Sequence, residues 1–222
     1  MTDFPSKPAK HEQISRYKKI SGKAPPIRIF KRDWMEAFTL ISFRTFLTFC
    51  IIGECLALYV TYQYSHNWLG CLWRFAVGII VWEFFEYVMH RYIFHFKSNN
   101  PYLQKMVYIF HGNHHIQPNH PLRTIMPLIV TLPVGIIIWS VSIWCGGAGF
   151  GSAFFAGFFL GYALYDTIHY ATHNFRMKSF PLSWLKKHHL LHHYMTEEHN
   201  YAISLPWLDV IFRTLYHPKH RK

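Results

Sequence analysis

The sequence predicts an all-α integral membrane protein: four transmembrane helices in two hairpins, beneath a helical cytoplasmic cap. Three observations predict it. Of 222 residues, 51% are hydrophobic and only 15% charged, where soluble domains carry about 25% charged residues. Four apolar stretches have the length of a bilayer crossing. The basic residues between them fall on one side.

The chain has room for one sizeable domain. Its aromatic content of 19% excludes a disordered chain. The net charge is +12, which leaves nucleic acid, a membrane surface and metal binding to be separated. Cys50, Cys55, Cys71 and Cys145 form no C-x-x-C pair, so a thiolate zinc finger is excluded. They read as small buried hydrophobes. No solenoid-type repeat is present.

Residues 1–40 read as a basic cytoplasmic tail followed by an interfacial helix. The first 26 are rich in Lys, Ser and Pro and contain no apolar signal core. Between 27 and 38, Arg28, Lys31 and Arg32 alternate with Ile27, Phe30, Trp34 and Phe38. That pattern suits an amphipathic helix on a membrane surface, or one packed on the protein's own core.

Residues 41–222 then hold everything else. The spans are placed at about 45–64, 69–89, 124–144 and 152–173, with cap segments 90–123 and 174–222. Twenty residues at about 1.5 Å each match one hydrocarbon thickness. Residues 124–165 contain no Asp, Glu, Lys or Arg and are too long for one crossing. The Gly-rich run 145–151 divides them. Pro127 and Pro133 are expected to bend the third span, which membrane helices tolerate. Apart from Arg44 and Arg74, every Lys and Arg lies in the tail, in 90–123 or after the fourth span. The positive-inside rule therefore places both termini and the middle segment in the cytoplasm, and the charge needs no nucleic acid to explain it.

Ten of the 17 histidines form four boxes: His90 and His95; His111, His114 and His115; His169 and His173; His189, His192 and His193. On a helix, residues at i, i+3 and i+4 share a face, so each of the two triplets is expected to converge, and His169 to meet His173. The first box does not fit an α-helix, since five residues turn through about 500°. Either the helix loosens or ends there, or the two histidines approach different metals; the second span is expected to end at this point. All four boxes map to the cytoplasmic side. Neutral imidazole suits iron or zinc, and ten imidazoles suit two ions. The cap therefore carries a histidine-rich dimetal site. Glu86, four residues before His90, and Asp166, three before His169, are placed to accept a ring N–H from a ligand, or else to form a plain salt bridge with Arg74 or Arg91; an acid in a membrane span is costly and usually functional, which favours the first. His120, His188 and His199 lie close enough to support the ligands, while His11, His66, His217 and His220 read as surface or tail residues.

With its flanks, this pattern resembles the membrane fatty acid hydroxylase and sterol desaturase superfamily, and within it the fatty acid 2-hydroxylases of sphingolipid acyl chains, here without a fused cytochrome b5 domain. The likeness runs from Glu86-Tyr87-Val88-Met89-His90-Arg91 to about Tyr216. It takes in His111-Gly112-Asn113-His114-His115, Pro118, Arg123, Met126-Pro127, Tyr165-Asp166, Leu185-Lys186-Lys187, Ile203-Ser204 and Trp207-Leu208-Asp209. It implies two iron ions held by the ten box histidines, with zinc a possible substitute, and O2-dependent 2-hydroxylation of a long acyl chain. It implies an external electron donor such as cytochrome b5, supplied as a separate protein. Two positions depart from the family's usual pattern: His120 stands where an acid is common, and Tyr201-Ala202 where a Phe-Gly pair is. With Arg123, His120 and Tyr201 are candidates for the substrate head group.

The chemistry agrees with the resemblance. An unactivated C–H bond is beyond side-chain acids and bases and needs an oxidant made from a redox metal and dioxygen. The partners are then a lipid, the membrane and an electron-transfer protein that Lys186 and Lys187 could meet. The membrane is endoplasmic reticulum in a eukaryote and the inner membrane in a bacterium. Sterol desaturation, sterol methyl oxidation and carotenoid hydroxylation are the nearest rivals. A metal transporter or sensor is the rival of another class, and it expects ligands near the bilayer midplane rather than at one edge.

Overall fold

A computed structural model describes residues 24–217, and the expectations for residues 1–23 and for His220 lie outside the described residues. The described chain is helical and contains no strand. α1 is Asp33–Ala37, α2 Phe43–Tyr64 and α3 Trp68–Val88, which runs on as a π-helix, Met89–Phe94. α4 is Pro101–Val107, followed by a second π-helix, Tyr108–Gly112, and α5, Asn113–Ile116. α6 is Leu128–Asn174, α7 Leu182–Tyr194 and α8 Trp207–Ile211.

Among the described residues, three helices are long and apolar enough to cross a membrane: α2, α3 with its π extension, and α6. α2 starts where Ser42 accepts a hydrogen bond from Thr45 N (3.1 Å), and α3 where Asn67 accepts from Gly70 N (2.9 Å). Both side chains satisfy amides that the first helical turn leaves without partners.

The 47 residues of α6 are interrupted at Gly147, with φ 75° and ψ 168°. Only glycine adopts that conformation without steric cost, and the chain folds back there. Trp139 stacks on Phe155 (5.1 Å) and donates to Ser152 Oγ (2.8 Å), while Thr131 meets Tyr162 OH (3.1 Å). The two limbs are therefore antiparallel. The third span starts at Leu128 rather than near 124: Pro127 is the N-cap and Pro133 alone lies inside the helix.

α3 packs against the second limb of α6 with almost no space between backbones. A Cβ added at Gly157 would strike Phe75 O, and one at Gly78 would strike Phe154 O. Small residues allow such approach, the usual basis of helix packing where lipid removes the hydrophobic drive. Around this contact lies an aromatic core. Trp82 makes edge contacts with Phe158 (5.1 Å) and Tyr162 (5.3 Å), and Phe46 packs edge-on to Tyr162 (5.8 Å). The opposite faces expose Ile51, Ile52, Leu72 and Ile137, as a lipid-facing surface requires. Trp68, Trp73 and Trp144 are exposed toward the turns, where interfacial aromatics gather.

The expected amphipathic helix over 27–38 shortens to the five residues of α1. The segment before it is anchored by backbone polar groups instead. Ile29 N and Phe30 N donate to Glu36 Oε2 (2.9 and 2.8 Å), and Ile27 N donates to Gln117 Oε1 (2.9 Å). Trp34 and Phe38 remain exposed. The short helices and loops, with α7, collect at the end of the bundle where α3 and α6 deliver their histidines.

Candidate metal centre

The ten box histidines form two groups of five. His90, His95, His111, His115 and His192 bring one ring nitrogen each within 4.8 Å of one another, and His114, His169, His173, His189 and His193 do the same. Each triplet is split. His111 and His115 enter the first group while His114 enters the second; His189 and His193 enter the second while His192 enters the first. The expected convergence of each triplet is thus corrected. On a helix, i and i+4 lie about 40° apart, and i+3 lies about 60° to the other side. One triplet can therefore feed two ions, and the two triplets do so in opposite senses.

The first box works because the helix widens. Met89–Phe94 is a π-helix, whose i→i+5 hydrogen bonds bring His90 and His95 to one side. Their rings lie 5.1 Å apart. A second π-helix carries His111, and Asn113 stabilises it. Its side chain donates to Tyr108 O (2.9 Å) and Ile109 O (2.8 Å), carbonyls of the widened turn.

The nitrogens are spaced as ligands of a shared cation. In the second group, Nε2 atoms follow one another from His169 to His114 (2.9 Å), His193 (3.1 Å), His189 (3.0 Å) and His173 (2.9 Å). In the first, His111 Nε2 lies 3.1 Å from His90 Nε2 and 2.9 Å from His115 Nε2, and His95 Nε2 lies 3.0 Å from His192 Nε2. A ring nitrogen has one in-plane proton or one lone pair, so it cannot bond well to two others at once. About 3.0 Å is the separation of two ligands at right angles around an ion about 2.1 Å from each. The donor set is ten neutral imidazoles with no thiolate, which fits a first-row divalent metal.

Electrostatics favour the lone-pair form. Burial, and then the neighbouring imidazoles, push His111, His114, His115, His189 and His193 well below the usual histidine range. Burial lowers His192 to about 4. All six are neutral at pH 7 and available to a cation.

One group is oriented through backbone. His90 Nδ1 donates to Tyr201 O, and His192 Nδ1 to His199 O (2.8 Å). Each bond assigns the proton to Nδ1 and leaves Nε2 free for metal. Asn200, between the two carbonyls, is buried in the left-handed conformation (φ 57°). It is locked there by bonds to His188 O (3.1 Å) and from Tyr216 N (2.7 Å). In the second group all five Nδ1 atoms are buried without a hydrogen-bond partner. Asp166 Oδ1 stands 3.5 Å from His169 Nδ1, while its Oδ2 accepts from Met126 N (3.2 Å).

The structure relocates several other expected roles. Glu86 touches no imidazole. It accepts from Ile203 N (2.6 Å) and Ser204 N (3.3 Å), and so holds the loop whose carbonyl orients His90. Arg123 is not free for a head group. All four of its terminal N–H bonds point at Glu36, Ile27 O and Thr39, and both charged partners are buried. His120 is buried, with Nδ1 accepting from Leu122 N (3.2 Å). Tyr201 lines the open cleft beside the first group. Lys186 turns inward to Thr172 O (2.7 Å) and Phe175 O (2.9 Å), leaving Lys187 exposed.

Asp209 enters the sequence reading only as part of the family likeness, with no role assigned to it. This fully buried carboxylate accepts from Tyr201 N, Ala202 N and Thr214 Oγ1, and meets His188 Nε2 at 2.9 Å. Its signal was there to read: a lone acid in the otherwise uncharged run 203–212.

Comparison with known proteins gives this geometry a family. The fatty acid hydroxylase family model matches residues 75–214. The chain is 34% identical to the dihydroceramide fatty acyl 2-hydroxylase FAH1 of Arabidopsis thaliana over 63% of this chain and 59% of that one. It is 32% identical to the fatty acid 2-hydroxylase of Mus musculus over 88% of this chain and 59% of that one. It therefore spans about three fifths of the length of these two relatives. The fold is similar to that of a solved structure of full-length Scs7p in which only the hydroxylase domain is visible. There the TM-score is 0.78 and the identity 23%, covering 95% of this chain and 94% of that one. The chain belongs to the fatty acid hydroxylase family.

Proposed function

We propose that this protein is a dimetal membrane monooxygenase that places a hydroxyl on the carbon next to the carbonyl of a long acyl chain, as a free fatty acid or within a ceramide. The observation that carries the reading is the pairing of two five-histidine groups with an apolar cavity of about 120 Å³ between α3 and α6. His90, His95, His111, His115 and His192 would hold one ion, and His114, His169, His173, His189 and His193 the other. Two iron ions would supply the oxidising power that a C–H bond demands. The reaction balances as one oxygen atom of O2 inserted into the C–H bond and the other released as water. Two electrons come, one at a time, from an external donor such as a cytochrome b5, and two protons from water.

The protein's own part is placement and exclusion. Tyr201 O and His199 O fix the ring protons of His90 and His192, so that Nε2 faces inward. The aromatic core around Trp82 and Phe158 keeps water from the chain-binding cavity. With Gly147 as a hairpin turn, the three long helices make four crossings, both termini and the histidine end facing the cytoplasm. The membrane is endoplasmic reticulum or bacterial inner membrane according to the host.

The test is lipid mass spectrometry on cells with and without the gene, grown under ¹⁸O2. The reading expects 2-hydroxy acyl chains carrying one ¹⁸O. An oxidised sterol or carotenoid in their place, or no oxidised lipid from metal-loaded protein with a reductant, would overturn it.

A further inference from the structure

Two cavities, one with a mixed polar and apolar lining and one almost wholly apolar, meet at one side chain. The first is a half-open cleft of about 840 Å³. Its lining includes His95, His111 and His115 of the first group and the charged residues Arg91, Lys97 and Glu197. The second is the apolar cavity between α3 and α6, lined by residues such as Met89, Val134, Phe158 and Tyr165. Phe94 lines both, and it is the one residue that does so among the described residues.

Phe94 is held firmly in that position. It closes the π-helix between His90 and His95 and is 8% exposed. Its ring stacks on His111 at 5.1 Å and lies 6.2 Å from the His90 ring. A rigid aromatic wall between a mixed, charge-bearing cleft and a nearly wholly apolar cavity sorts an amphiphile by its own polarity. The polar end is favoured on the cleft side and the hydrocarbon on the other. The boundary of the molecule then lies at the wall, beside two histidines of the first group.

We propose that Phe94 is the specificity-determining residue that selects which carbon of an acyl lipid meets the metal pair. This inference rests on the acyl-hydroxylase reading above. The head group and carbonyl occupy the cleft, the tail occupies the apolar cavity, and Phe94 is the pivot at which the chain turns. The ligand class is a single long alkyl chain ending in a polar carbonyl group. A flat fused-ring lipid has no such boundary to place at the wall.

The experiment uses the full-length protein in nanodiscs and has two arms. Phe94→Leu removes the flat wall while keeping an apolar side chain, and the position of hydroxylation is read by mass spectrometry of the released acids. Wild type should give 2-hydroxy acids, and the variant a mixture with at least about a tenth 3-hydroxy product. Phe94→Trp should thrust the larger ring into the apolar cavity. It is read on metal-free protein by electron paramagnetic resonance of stearate carrying a nitroxide at carbon 5, whose affinity should fall at least tenfold. Metal content of both variants, equal to wild type, certifies the site. A spread in product position or a loss of stearate affinity supports the proposal. Unchanged position together with unchanged affinity, at full metal content, overturns it. If wild type makes no hydroxy acid, the family reading of the reaction fails, and the stearate arm alone decides whether Phe94 borders a chain-binding cavity.

Discussion

Glu86 and Asp209 divide four consecutive backbone amides between them. Asp209 accepts from Tyr201 N and Ala202 N (2.9 Å each), and Glu86 from Ile203 N (2.6 Å) and Ser204 N (3.3 Å). Both carboxylates are buried. The loop they grip offers Tyr201 O to His90 Nδ1. Two acids that touch none of the ten box histidines therefore set the direction of one of them. Asp209→Asn leaves one acceptor oxygen in place of two and weakens the contact with His188. The expected outcome is a loss of about 10–100-fold in metal affinity, confined to the first group. Metal analysis should find the variant falling from two ions to one under mild chelation, while wild type holds both. Equal retention would refute the positioning role.

The split of the triplets makes a sharper claim. His192→Ala removes a first-group nitrogen, and His193→Ala, one residue on, removes a second-group nitrogen. Each variant should keep about one ion and lose at least about 100-fold in activity. Their double variant should keep none. If both single variants lost the same ion, the two-group assignment would be wrong.

Acid should weaken the metal-free protein. His192 is held at about 4 by burial, whereas an unfolded histidine titrates near about 6.5. Its neutral form is the folded form, so its contribution to stability is complete above about 6.5. As pH falls the unfolded chain takes up a proton that the folded chain refuses, and stability declines progressively toward pH 4. His111, His114, His115, His189 and His193, lowered in the same sense, add to the slope. Thermal melts between pH 7.5 and 4.5 should show Tm falling in that window, and metal should suppress the fall near neutrality. A flat profile would contradict the burial argument.

Arg123 and Glu36 form an ion pair with both partners buried. Removing one partner leaves an uncompensated charge, at a cost of about 3–5 kcal/mol. Arg123→Met should therefore lower Tm without altering head-group preference, and Arg123→Met with Glu36→Leu should recover part of the loss. A changed head-group preference at unchanged Tm would restore the substrate role the sequence suggested.

Gly147 should tolerate no side chain without strain. Gly147→Val forces a β-branched residue to φ 75°, costing at least about 1–2 kcal/mol. Detergent-solubilised variant should melt earlier, while Gly135→Val, where an added Cβ meets nothing within 4 Å, should melt close to wild type. Equal effects at the two positions would deny the hairpin turn its special geometry.

Much of this was legible in the sequence, and the reasons are local. Long apolar runs and one-sided charge mark α2, α3 and α6, because lipid imposes a simple composition. The histidine boxes name their own members, because helical spacing is a strong constraint. The break near Gly147 was visible as a Gly-rich run. Partnership across the chain was less legible. Nothing near Glu86 announces that its Oε1 accepts from Ile203 and Ser204, 117 and 118 residues away. Arg123 resembles a surface cation until Glu36 is folded beside it. The meeting of His90 with His95 in one group required the π-helix at Met89–Phe94, and backbone widening has no period that a hydrophobic pattern can display.

The most direct measurement is anomalous diffraction at the iron edge from crystals of iron-loaded protein. The account predicts two peaks: one among His90, His95, His111, His115 and His192, the other among His114, His169, His173, His189 and His193. A single peak shared by both groups, or none at either, would contradict it.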